Sequence, residues 1–151
     1  MHPTPGSSLP LSVAEVDSLI DEHFPGIHVG GRTVVLEAVG DRTARVRLLL
    51  TERNIRPGGT ISGPAMFMLA DFAIYVALIA TLGKPAIAAV TSNLNINFLL
   101  RPDPSDLVAE ARLLRVGRRL TYAEVSITAA GASEVLAHAT GTYALVQKPS
   151  P

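Results

Sequence analysis

Apolar and polar positions follow two different periods along this chain. From Ser12 to Phe24 (SVAEVDSLIDEHF), Val13, Val16, Leu19 and Ile20 recur at helical spacing, which predicts an amphipathic helix. Ser12 with Glu15 three residues on gives a capping-box pattern, and Pro25-Gly26 stops the run. The period then falls to two. Thr33–Val39 and Thr43–Leu50 predict two strands meeting at Gly40-Asp41, a hairpin signal. In the second, Ala44, Val46, Leu48 and Leu50 alternate with Arg45, Arg47 and Leu49. Thr51–Gly63 (TERNIRPGGTISG) reads as a polar, glycine-bearing loop. Pro64–Leu82 is almost continuously apolar and predicts a long helix, with Pro64 at its first position and Gly83 and Pro85 at its end.

Four strand-like runs follow. Ala88–Leu100 alternates Leu94, Ile96 and Phe98 with Asn93, Asn95 and Asn97, and Pro102 and Pro104 break it. Leu107–Val116, Leu120–Ala129 and Val135–Val146 complete the series. The order is helix, two strands, long helix, four strands. Strands joined by short turns imply a mainly antiparallel sheet and an α+β class. One apolar helix against such a sheet predicts a curved sheet wrapped around it.

The long helix raises a membrane question, because Pro64–Leu82 has the length to cross a bilayer. Asp71 stands at its centre, the costliest depth for a charge in a membrane. The run is rich in alanine, and its flanks are amphipathic strands. A helix that is apolar all round is also what a surrounding sheet requires, so a core helix is expected and no membrane partner.

Composition narrows the function classes. With 48% apolar and 17% charged residues, the 151-residue chain is expected to fold as one domain over 12–147, with tails at 1–11 and 148–151. Thirteen Lys plus Arg balance thirteen Asp plus Glu, without the basic excess of a general nucleic-acid binder. The absence of cysteine excludes a disulfide scaffold, a thiol nucleophile and a Cys-held metal, and fits a reducing, cytoplasmic setting. The start, MHPTPGSSLP, shows neither the basic nor the apolar part of a signal peptide. His2, His23, His28 and His138 have no metal-ligand spacing, Gly58-Gly59 lacks the phosphate-loop pattern, and no GxGxxG occurs.

Asp71 is the outstanding candidate. A carboxylate within a buried helix must be paired, protonated or in use. Its helix-face neighbours Phe67, Met68, Ile74 and Tyr75 offer no positive charge, so its partner must come from another element. Strand hydroxyls or backbone would satisfy it structurally; a catalytic role would also account for so costly a group. Gly63 lies at the amino end of the same helix, where free N–H groups can bind a carbonyl oxygen or an oxyanion, unless it simply caps the helix. Gly63 and Asp71 are eight residues apart, or ~12 Å along a helix. They cannot act on one carbonyl within a subunit, whereas antiparallel helices of two subunits could join one Gly63 to the other Asp71. Ser62, Thr91, Ser92 and Asn54 could orient a water or a carbonyl, or serve as local caps and ladder contacts. Arg118 and Arg119 could hold phosphates or simply solvate a hairpin.

Taken together, these residues resemble the hotdog-fold acyl-CoA thioesterases of the phenylacetic-acid-pathway type. Ile61–Asp71 (ISGPAMFMLAD) resembles the family's helix-start motif, commonly His-Gly-Gly followed by Leu-Ala-Asp, here Leu69, Ala70 and Asp71. Thr91–Phe98 (TSNLNINF) with Arg101-Pro102 looks like its third strand, and Val116–Ile127 (VGRRLTYAEVSI) like its Gly-Arg turn and following strand. The resemblance implies a hotdog fold, a homodimer assembled into a homotetramer, and hydrolysis of acyl-CoA thioesters. It implies Asp71 as general base or nucleophile, and the partner's Gly63 amide as donor to the thioester oxygen. Thr91 falls near a residue that places the water, Asn54 near a loop Asn, and Gly117, Arg118 and Arg119 where CoA phosphates are met. No metal or redox cofactor is implied; CoA enters only with the substrate. Ser62 and Pro64 replace the family's His and second Gly, which makes a non-catalytic acyl-CoA or ligand-binding hotdog protein the alternative. A hotdog dehydratase would need an Asp–His pair that the helix start lacks.

Overall fold

The computed structural model describes residues 8–146; the predicted tail positions 1–7 and 148–151, and Gln147 at the predicted domain end, lie outside them. Helix α1 (Val13–His23) begins at the predicted capping box, with Ser12 and Glu15 each accepting the other's backbone N–H. Leu11, predicted as tail, is buried, and its N–H donates to Ala80 O at 2.8 Å.

Strands β1 (Val34–Gly40) and β2 (Thr43–Leu48) form the predicted hairpin. The segment read as a plain loop contains a small hairpin, β3 (Ile55–Arg56) with β4 (Thr60–Ile61). Two-residue strands carry no periodicity for a pattern to reveal; what turns the chain is Gly58 and Gly59 at φ +99° and +77°, a conformation that favours glycine.

Helix α2 (Gly63–Leu82) starts one residue before the predicted position. Ser62 is its N-cap and Pro64 occupies the first turn. Gly83, at φ 73°, closes it by donating its N–H to Ile79 O at 2.7 Å. Leu69, Ile74, Leu78 and Ile79 are fully buried, each side chain contributing ~1.5–3 kcal/mol by leaving water. Ala70, Ala73, Ala77 and Ala80 are buried too and let the strands come close. The helix length and hydropathy that suit a membrane here serve a core inside a sheet.

The remaining strands are β5 (Val90–Phe98), β6 (Leu107–Val116), β7 (Leu120–Ala129) and β8 (Val135–Ala144). All six long strands form one antiparallel sheet in the order β1-β2-β6-β7-β8-β5. β5 therefore does not neighbour β6, its successor in sequence. It crosses to the far edge beside β8, with one side unpaired among the described residues. The outer face is polar and laced with ion pairs, such as Glu37 with Arg45 and Arg47, and Arg112 with Glu124.

Candidate functional site

Asp71 lies midway along α2, where the helix passes the β5–β8 edge. It is half-buried rather than sealed in the core. No cation meets it among the described residues; its partners are strand hydroxyls. Thr91 Oγ1 donates to Asp71 Oδ1 at 2.7 Å, and the Tyr143 hydroxyl donates to the same oxygen at 2.7 Å. Tyr143 also lies 3.0 Å from the Asp71 backbone carbonyl. Both hydroxyls fall on Oδ1, so Oδ2 has no hydrogen-bond partner among the described residues.

Register explains the convergence. Thr91 pairs with Tyr143 across β5 and β8, and a bulge follows, with Asn93 opposite Thr142. Side chains alternate faces along a strand, and the inner face of β5 carries Leu94 and Ile96. Thr91 would lie on the outer face of a regular strand. The extra residue, Ser92, reverses that parity and brings Thr91 to the helix side. One strand further on, Thr121 is opposite Tyr143 and fully buried.

Tyr143 is the residue that the sequence reading missed. It is buried, and burial first, with the Asp71 carboxylate second, raises its phenol above the ordinary value of 10.0. It therefore stays protonated and donates throughout the neutral range. The available signal was the inner face of β8, where small Ala137, Ala139 and Gly141 are followed by one large hydroxyl-bearing side chain.

A cavity of about 520 Å³ opens beside Asp71, walled by Phe24, Met68, Phe72 and Tyr75 together with Thr91 and Tyr143. Tyr75 stacks on Tyr143 with centroids 6.3 Å apart, and Phe24 meets Tyr75 edge-on at 6.0 Å. The Tyr75 hydroxyl is engaged with Ile87 O at 2.7 Å. Apart from the carboxylate, its hydroxyls and His23, the walls are mainly apolar, a combination that suits an organic ligand with a polar reactive group.

The second cluster forms at the start of α2. Asn54 O accepts the Ser62 N–H at 2.7 Å, so β3 and the helix start are tied together. The Ser62 hydroxyl caps the helix by accepting from Ala65 N at 3.3 Å. A helix leaves its first N–H groups without intrahelical partners. Here Ser62 N–H is used, Pro64 has none, and Ala65 N–H is capped. Only the Gly63 N–H has no acceptor among the described residues. An added Cβ at Gly63 would lie 3.3 Å from the Phe98 ring.

The structure thus joins Asp71 with Thr91, and separately joins Gly63 with Ser62 and Asn54. It does not bring the two groups together within one chain. Gly117, Arg118 and Arg119 form the β6–β7 turn, where Gly117 N–H donates to Leu120 O at 2.9 Å. Arg118 and Arg119 are exposed and line neither the Asp71 cavity nor a cavity beside Gly63.

Known proteins share the family and the fold. A family model described as Thioesterase superfamily matches residues 58–136. A protein of Halobacterium salinarum named as a candidate esterase is 34% identical over 120 residues, covering 77% of each chain. A crystal structure of a candidate thioesterase from a Silicibacter species superposes with a TM-score of 0.80 at 32% identity, covering 94% of this chain and 96% of that one. The Escherichia coli protein from the phenylacetic acid degradation operon superposes with a TM-score of 0.73 at 19% identity, covering 89% and 92%, and so shares the fold.

Proposed function

The chain belongs to the thioesterase superfamily, and from that premise we propose that it hydrolyses acyl-CoA thioesters to a free acid and CoA in the cytoplasm, as a homodimer that pairs further into a tetramer. The observation that carries this reading is the asymmetry of Asp71. Oδ1 is held by Thr91 and Tyr143, and Oδ2 has no protein partner among the described residues. A carboxylate fixed by one oxygen and open at the other is arranged to take a proton.

In the proposed reaction Asp71 accepts a proton from a water as that water attacks the thioester carbonyl carbon. The carbonyl oxygen becomes an oxyanion and accepts a hydrogen bond from the Gly63 amide of the partner subunit. The tetrahedral intermediate collapses, the carbon–sulfur bond breaks, and the CoA sulfur leaves with a proton returned through Asp71. Direct attack by the carboxylate would pass instead through a mixed anhydride that water then opens. Hydrogen bonds fixing Oδ1 favour the water route, since they restrain the carboxylate. Ser62 acts as the cap that leaves the Gly63 amide free, and Asn54 holds that cap in place. The acyl group occupies the cavity beside Phe72 and Tyr75. The reading calls for no metal or redox cofactor.

The test is free-thiol release from short-chain, medium-chain and aromatic acyl-CoA esters, comparing wild type with Asp71→Asn. At least one ester should be turned over, and the substitution should lower kcat ~100-fold or more with an unchanged circular dichroism spectrum. CoA-ester binding without turnover by the wild-type protein would replace this reading with that of a ligand-binding protein.

A further inference from the structure

The cavity beside Asp71 has one wall that the proposed chemistry leaves unused, the end of α1. Four aromatic rings face this cavity: Phe24, Phe72, Tyr75 and Tyr143. Three are buried, Phe72 at 4%, Tyr75 at 7% and Tyr143 at 4% exposure, whereas Phe24 is 44% exposed. Phe24 therefore stands between the cavity and solvent. Tyr75 follows Asp71 by four residues, ~6 Å further along α2, and the Phe24 ring meets the Tyr75 ring edge-on at 6.0 Å. An acyl chain that runs from the carboxylate past Tyr75 meets Phe24 at that end.

Local chemistry holds Phe24 in place. Pro25 cannot continue α1, and it disfavours helical backbone in the residue before it. Phe24 accordingly leaves the helix at φ −139° and ψ 53°. Its N–H still donates to Ile20 O at 2.7 Å, and its carbonyl accepts from Ile27 N at 3.3 Å within the single 3-10 turn Pro25–His28. That turn is tied back to α1. Arg32 donates to Asp21 Oδ1 at 2.7 Å and to His28 Nε2 at 3.0 Å, and Ile27 packs against the core. The two tyrosines are anchored as well, through Ile87 O and Asp71. With its backbone held on both sides, the size of the Phe24 side chain decides how far the cavity runs toward solvent.

We propose that Phe24 sets the upper length of the acyl group, so that straight-chain esters gain from each added carbon only until the chain reaches its ring. This rests on the thioesterase reading and adds to it the residue that selects among substrates.

A ladder of saturated acyl-CoA esters, lengthened by one methylene at a time from acetyl-CoA, tests the limit in wild type, Phe24→Ala and Phe24→Trp. Each methylene that enters apolar space should raise kcat/KM about four-fold. In wild type the rise should stop at a limiting length. Removing the ring leaves room for about three methylenes, so Phe24→Ala should carry the rise that much further. The larger ring of Phe24→Trp should end it sooner. Activity on acetyl-CoA, which is too short to reach Phe24, should be the same in all three and shows that the site is intact. One limiting length shared by all three proteins would overturn the proposal. So would a rise without limit in wild type, or a uniform fall of Phe24→Ala at every length including acetyl, which marks a structural role. Should wild type turn over no ester, the thioesterase reading falls separately, and calorimetric titration with the same esters decides the limit. A break in affinity at a length that moves with residue 24 supports it, and a break that stays in place overturns it.

Discussion

Asp71 shows how a residue with a plain structural explanation can also be placed for chemistry. Two hydroxyls satisfy it, as strand hydroxyls can satisfy any half-buried carboxylate, yet both choose Oδ1. Tyr143 is the more telling of the two, because its burial keeps it a donor. A hydrogen bond to a charged group is worth ~1.5 kcal/mol, and 1.36 kcal/mol is about ten-fold in rate. Tyr143→Phe should therefore lower kcat about ten-fold while leaving KM unchanged. The same substitution has a stability signature. A phenol whose folded value is raised keeps its proton above pH ~10, where the unfolded chain loses it, so stability falls as pH rises past that point. Urea unfolding near pH 9 and near pH 11 should show this loss in wild type and a smaller one in Tyr143→Phe, with Tyr75, also raised by burial, retaining part of it. An unchanged kcat would remove Tyr143 from the positioning of Asp71.

Among the elements, β5 shows both how far a sequence pattern reaches and where it stops. The alternation of Leu94, Ile96 and Phe98 with three asparagines announced a strand with one apolar face. The period also located α1 and the remaining long strands, because each buries one face, and an unbroken apolar run located α2, which is buried almost all round. The Ser92 bulge was not legible, since an inserted residue leaves no local mark, and with it went the reason Thr91 reaches Asp71. Strand order was equally out of reach. Nothing within Val90–Phe98 says that β8, rather than β6, is its neighbour; that choice depends on contacts far apart in sequence. Gly141 is where those contacts are tightest. A Cβ there would lie 2.7 Å from Leu94 Cδ1, 3.0 Å from Ile74 Cδ1 and 3.2 Å from Asn93 O. Overpacking of this kind costs ~1–3 kcal/mol, so Gly141→Ala should lower Tm by about 2–12 °C at this chain length. An unchanged Tm in differential scanning calorimetry would mean that β5 yields freely and is not held in register by this packing.

The molecule as a whole poses a question that one chain does not answer. Asp71 and the free Gly63 amide sit on the same helix ~12 Å apart, too far to share a carbonyl. Meanwhile β5 ends the sheet with a side unpaired among the described residues, and Phe67, Val90 and Phe98 are 41%, 51% and 51% exposed. Unpaired strand edges and exposed apolar side chains call for cover. A second copy related by a two-fold axis perpendicular to β5 would supply it, pairing the two edge strands antiparallel, and would set each Gly63 against the other subunit's Asp71, giving two equivalent composite sites. This arrangement can be tested by mixing two inactive variants. Asp71→Asn removes the base. Gly63→Pro removes the amide hydrogen at a helix position that accepts proline, after a residue whose extended φ −70° and ψ 145° suit that neighbour; loss of an oxyanion donor costs ~100–1,000-fold. In a mixed dimer one site carries both lesions and the other carries neither. Equal amounts of the two variants, unfolded together and refolded, should therefore recover about a quarter of wild-type activity, because about half of the dimers are mixed and each has one intact site. Sites built within single subunits would recover nothing, since every chain in the mixture carries one lesion.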